Sequence, residues 1–240
     1  MEVKNRGDLV INGIGASNGG QFHNVTLNGR GTINSDVECS LFDCNGSGVI
    51  KGNVKAEKMK INGNAKFNAS IDCKILTVDG SAKIDQNIHA ENLRVSGHAT
   101  VGGKVKGEEI KIHGILKVTG DCEAEIFKAQ YRFTIGGLLN ADQIDVTIYG
   151  ECKAKEIGGQ MINVKRHKGS LIGTLFKPFF HTQLETELME GDKINIENTK
   201  AKIVRGNHIM IGENCEIGLV EYTDEILIDK KAIVGEIRKV

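Results

Sequence analysis

The chain has no tryptophan, one proline (Pro178) and only 5% aromatic residues among its 240. Scarce aromatics, with no cluster of them beside acidic residues, count against a carbohydrate-binding or lyase-type surface. Net charge is also missing: 31 basic and 31 acidic residues cancel and are interspersed. No broad positive field is left to condense the protein onto nucleic acid. No run approaches the roughly 20 apolar residues of a membrane-spanning helix, and nothing apolar follows Met1-Glu2-Val3-Lys4. A cytoplasmic protein is expected. There is no Cys-x-x-Cys pair, and Gly13-Ile14-Gly15 and Gly102-Gly103 lack the Lys-Ser/Thr and following helix of a phosphate loop.

What the chain does have is 30 glycines and an internal repeat. In steps of 17 from Val25 come Phe42, Met59, Leu76, Leu93, Ile110, Phe127, Ile144 and Met161. Two residues on, Leu27, Cys44, Ile61, Val78, Val95, Ile112, Ala129 and Val146 form a second apolar column. A third holds Gly29, Gly46, Gly63, Gly80, Gly97 and Gly114, preceded by Asn28, Asn45, Asn62, Asp79, Ser96 and His113. Asn-Gly and Asp-Gly tolerate positive φ, which suggests a sharp corner once per turn. Ile33, Ile50, Phe67, Ile84, Val101, Val118 and Ile135 follow, then Val37, Val54, Ile71, Ile88 and Val105. Polar residues alternate with these sites, as in strands with one wet and one buried face. A fixed period of this length implies a solenoid. The expected fold is all-β, a parallel β-helix with about 17 residues per turn.

The coil is expected to begin near residue 8, with Leu9 to Gly13, and to fill residues 1–164. An apolar insert or flap spans 165–190, and a second, shorter β-helical block spans 191–240, where Ile209 and Ile226, and Ile211 and Ile228, keep the step. Cys39 and Cys73 share a small-residue column with Ala56 and Ala90. Cys44, Cys122 and Cys152 fall in the columns of Leu27, Val37 and Ile33, and Cys215 aligns with Ala232. Free cysteine at such positions is packing. The seven histidines show no helical pairing, and no acidic column coincides with a histidine column. No catalytic, metal or cofactor site is expected.

A solenoid's last turns leave backbone N–H and C=O groups unpaired. Leu9 and Ile11 at one end, and Ile226, Ile228, Val234 and Ile237 at the other, are candidate polymerisation ends, although Arg6, Arg238 and Lys239 are charges of the kind that blunt such edges. In the insert, Leu175, Phe176, Phe179 and Phe180 either cover the coil or form a patch for a partner or membrane surface, with Lys165, Arg166, Lys168 and Lys177 beside them.

Met59-Lys60-Ile61-Asn62-Gly63 and Leu76-Thr77-Val78-Asp79-Gly80 resemble the turns of the bactofilins, bacterial polymer-forming cytoskeletal proteins. The resemblance covers about residues 25–145 well and the C-terminal block loosely. It implies a right-handed β-helix, no cofactor, and nucleotide-free self-assembly into nonpolar filaments at the inner face of the membrane, serving cell shape, polarity or motility. The partners implied are other copies of the chain, proteins recruited to the scaffold, and the inner membrane surface. The chain departs from the usual bactofilin in its second repeat block, its near lack of proline and its missing hydrophobic N-terminus. The alternative is a hexapeptide-type acyltransferase or carbonic-anhydrase-like enzyme, whose turns advance in multiples of six and which needs histidines between subunits.

Overall fold

A computed structural model describes residues 6–167 and 182–240. Every element in them is a β-strand, and parallel strands recur about 17 residues apart, making a β-solenoid as the repeat implies. The chain divides into two compact units after Gly120.

In the first unit, strands Val37–Cys44, Val54–Ile61, Ile71–Val78 and Ile88–Val95 pair in parallel. Val37, Val54, Ile71 and Ile88 share one buried column; Phe42, Met59, Leu76 and Leu93 share another. Midway along each strand two successive residues, such as Glu57 and Lys58, both face outward. The strand bends there without losing its ladder. Strands Ser47–Ile50, Asn64–Phe67, Ser81–Ile84 and His98–Val101 form a further side and bury Ile50, Phe67, Ile84 and Val101. Each such side chain contributes roughly 1.5–3 kcal/mol by leaving water. The Phe42 and Phe67 rings add a tilted contact at 5.9 Å.

The Asn-Gly corner does not use the positive φ that its sequence suggests. Among the described glycines only Gly19 (φ 89°) and Gly20 (φ 131°) lie in that region. The corner glycines are required by stacking instead. A β-carbon on Gly46 would lie 2.1 Å from the Gly29 carbonyl oxygen, and one on Gly63 2.0 Å from that of Gly46. Close approach leaves the two backbones at hydrogen-bond range: Asn45 and Gly46 N–H both donate to Leu27 O, at 2.9 Å each. Outside the glycines runs an amide ladder, in which the Nδ2 groups of Asn28, Asn45 and Asn62 donate to the Oδ1 of Asn12, Asn28 and Asn45 at 2.9, 2.8 and 2.7 Å.

The second unit keeps the coil but changes its step. Strand Arg132–Ile148 pairs with Cys152–Arg166 through an irregularity between Ile135 and Leu138. Two column assignments are thereby corrected. Cys152 stacks on Phe133, leaving Ala154 opposite Ile135, and Ile162, not Met161, stacks on Ile144 inside. Met161 is 43% exposed. Strand Leu184–Ile196 pairs directly with Cys152–Arg166, matching Leu184 to Cys152 and Ile194 to Ile162. The C-terminal block therefore begins before residue 191 and continues the second unit's ladder through Thr199–Ile211, Glu216–Ile228 and Ile233–Lys239.

If stacking is what requires the corner glycine, Gly46→Ala should lower unfolding free energy by about 1–3 kcal/mol or more. Gly13→Ala, whose β-carbon meets nothing within 4 Å, should change it by less than about 0.5 kcal/mol. Denaturant titration of both variants checks this contrast.

Candidate functional site

The feature that stands out is the last turn of the second unit. Glu216–Ile228 pairs on one side with Thr199–Ile211; on the other, only its first half is covered, by Ile233–Lys239. Among the described residues no strand pairs with the far edges of Ile226–Ile228 or Ile233–Lys239. Inward slots report this directly. Ile228 stacks on Ile211, yet Ile228 is 38% exposed and Ile211 1%. Ile237 stacks on Val220, with 48% against 0%. The chemistry of each column is unchanged; among the described residues no further turn covers it. Ile226 and Val234 are half-buried for the same reason.

Ile233 adds to this edge from the outside. It stands 69% exposed in register with Glu216, in an outward column that otherwise carries groups such as Lys200. That was legible as a lone apolar residue in a charged column, and column counting for inward residues alone misses it. In the first unit, Leu9 is half-buried and Ile11 is buried by its pairing with Leu27, so Ile11 is core and not an accessible contact. Val10 and Ile14, beside them in the chain, are exposed apolar residues.

The charges flanking the C-terminal edge are engaged along the outer wall. Arg238 pairs with Glu236 at 2.7 Å and Glu221 at 3.8 Å, Arg205 with Glu221 at 2.8 Å and Glu190 at 3.2 Å, and the Lys239 ammonium sits 5.8 Å from the centre of the Tyr222 ring. The hydrogen bond that Arg238 donates to the Glu236 carboxylate holds its guanidinium above its usual pKa. Arg238 and Lys239 thus have neighbours within their own wall, so their value as a deterrent to edge pairing is smaller than their position suggests. Beside the edge, Met161, Met210 and Leu227 line a shallow groove of about 360 Å³ with Lys193 and His208.

Other candidates resolve as packing or surface. All six cysteines are free and buried. Burial pushes the thiols of Cys39, Cys73, Cys122 and Cys152 up to about 12, and those of Cys44 and Cys215 up to about 11. One histidine expectation is corrected: acidic and histidine columns do meet, since His89 stacks on Asp72 in register, with Nδ1 3.2 Å from Oδ1. His208 similarly lies 3.8 Å from Asp224. These are single exposed pairs, and among the described residues no group of three or more His, Cys, Asp or Glu is placed to hold a metal ion. Among the same residues no helix is long and apolar enough to cross a membrane. Leu175, Phe176, Phe179 and Phe180 lie outside the described residues.

No family model matches this chain, and no solved structure matches it. Two proteins of Bacillus subtilis (strain 168) do. The uncharacterized protein YhbE is 61% identical over 227 residues, covering 94% of this chain and 95% of the relative. The uncharacterized protein YhbF is 46% identical over 247 residues, covering 98% of each. The chain belongs to the family of YhbE and YhbF. Similarity extends across both repeat blocks.

The thiols make a measurable prediction. Unfolded cysteines titrate near 9, so between about pH 9 and 12 the unfolded chain releases protons that the folded chain retains. Stability should fall as pH rises through that window, with no thiol contribution to pH dependence below it. At pH 8 a thiol-directed alkylating reagent should leave all six cysteines unmodified in the folded protein and label all six in denaturant, as peptide mass spectrometry would record.

Proposed function

We propose that this chain is a structural scaffold, not an enzyme, which assembles end to end into cytoskeletal filaments without nucleotide. The observation that carries this reading is the coincidence, on one turn, of unpaired strand edges with exposed Ile228, Ile233 and Ile237. A second copy laid against that turn would cover inward slots that are already shaped for a neighbour and would satisfy its N–H and C=O groups by strand addition. Open-ended repetition of such contacts produces a fibre when they do not close on themselves. The resemblance of the 17-residue turns to those of the bactofilins supports the same reading and extends it to cell shape, polarity or motility. On this reading the partners are further copies of the chain, proteins recruited to the filament, and the inner surface of the membrane, with the filament in the cytoplasm.

Negative-stain electron microscopy of the purified protein without added nucleotide should show filaments. Discrete trimers would instead indicate an acyltransferase-like enzyme. Ile233→Glu and Ile237→Glu should each abolish the filaments while keeping unfolding free energy within about 1 kcal/mol of the parent, because neither residue is fully buried. Filaments that persist in both variants would move the junction away from this edge.

A further inference from the structure

Four turns of the first unit carry an Asn-Gly corner, at Asn12-Gly13, Asn28-Gly29, Asn45-Gly46 and Asn62-Gly63, and Asn18-Gly19 is a fifth such pair. Asn-Gly is the dipeptide most prone to spontaneous deamidation, because glycine has no β-carbon to hinder attack by its own amide nitrogen. The structure treats these chemically identical pairs very differently. At Asn28, Asn45 and Asn62 the side-chain amine donates down the ladder. The following glycine N–H, the would-be nucleophile, donates to Ile11, Leu27 and Cys44 O at 3.1, 2.9 and 3.0 Å. At Asn18, Gly19 N–H donates to Ser17 Oγ at 3.2 Å.

Asn12-Gly13 lacks all of these restraints. Among the described residues the Gly13 N–H and the Asn12 Nδ2 have no acceptor, and the space a Gly13 β-carbon would fill is open. The side-chain hydrogen bond that Asn12 makes among the described residues favours reaction: Asn28 Nδ2 donates to its Oδ1 at 2.9 Å, which polarises the carbonyl that must be attacked and stabilises the oxyanion that forms.

We propose that Asn12 is a self-modification site, the point at which the folded coil deamidates. Hydroxide removes the Gly13 amide proton and the nitrogen attacks Cγ of Asn12. The Cγ–Nδ2 bond breaks and ammonia leaves, carrying a proton from water, to give a five-membered succinimide. Water then adds to either ring carbonyl and opens it to aspartate or isoaspartate. The sum is one amide and one water converted to one carboxylic acid and one ammonia. The product places a single negative charge on the first turn, at the foot of the amide ladder, and its accumulation marks the age of the molecule.

The test is peptide mass spectrometry of the dilute, purified full chain held at mildly alkaline pH, with sampling over days. Asn12 should convert about ten-fold or more faster than Asn28, Asn45 and Asn62, which react only after local opening of their hydrogen bonds. Asn18 should also be slower than Asn12. In denaturant all five pairs should convert at comparable rates. Gly13→Ala has room for its added carbon, so it should fold as the parent does and slow conversion at Asn12 while leaving the other sites unchanged. Folded-state rates that match across the five pairs, or that are fastest at any pair other than Asn12, overturn the proposal, as does a Gly13→Ala chain that loses its Asn12 amide at the parental rate.

Discussion

Everything in this molecule follows from one constraint, that the backbone of each turn lies on the backbone of the turn before it at hydrogen-bond distance. Strands tolerate such stacking anywhere, since the ladder spacing of about 4.8 Å leaves side chains free to point in or out. Corners do not, because there the chain changes direction and a β-carbon would be driven into the carbonyl beneath. Glycine at 29, 46, 63, 80, 97 and 114 removes that carbon, which would lie 2.0–2.1 Å from a carbonyl oxygen of the turn before. At 28, 45 and 62 the asparagine before it turns the outer rim of the corner into a second hydrogen-bonded column.

Repetition then makes each turn a partial copy of its neighbour. A slot that accepts isoleucine on one turn accepts valine or phenylalanine on the next, as in the column of Ile50, Phe67, Ile84 and Val101. Opposite charges in adjacent turns meet, as at Lys74 and Glu57 or Arg205 and Glu221, but exposed pairs of this kind add little stability. The interior carries the fold. Among the described residues chemistry is correspondingly dispersed: thiols serve as small apolar fillers, and the histidines are exposed on outer walls. What a stack of near-identical turns does present is its ends, where the inner columns stop being covered. Ile228 and Ile237 are core residues by column and surface residues by position, which is the basis for reading the chain as an assembling scaffold within the family of YhbE and YhbF.

The second unit shows how far the step can vary before the coil changes character. The step is 19 residues from Phe133 to Cys152 and 18 from Ile144 to Ile162, on either side of an irregularity near Ile135, and Ile162 takes the slot that strict counting assigns to Met161. Later turns shorten, Leu184 stacking on Thr199 and Ile194 on Ile209. The interior stays continuous because strand pairing re-registers after each change. The outer wall does not keep its pattern, and Met161, Met210 and Leu227 come together on it as an apolar groove. That groove has no counterpart in the strict repeat.

The amino-acid sequence by itself determined the fold class, the turn length and most inward columns of the first unit, because a period that never slips from Val25 to Ile144 leaves a single way to stack the chain. It also marked Ile226, Ile228, Val234 and Ile237 as the final turn's apolar residues. Only the tertiary structure decided which of them stay uncovered, that Ile11 is core, that His89 meets Asp72, and that Cys152 and Met161 leave their counted columns. Column counting assumes a constant step, and a bulge breaks that assumption without leaving a mark on composition. Nor can a column show its own end: exposure of Ile237 and burial of Val220 differ by the presence of one further turn, a property of the stack and not of either residue. The role of the corner glycine was hidden for the same reason, since its clash is with an atom of the turn below and not with its own chain neighbours.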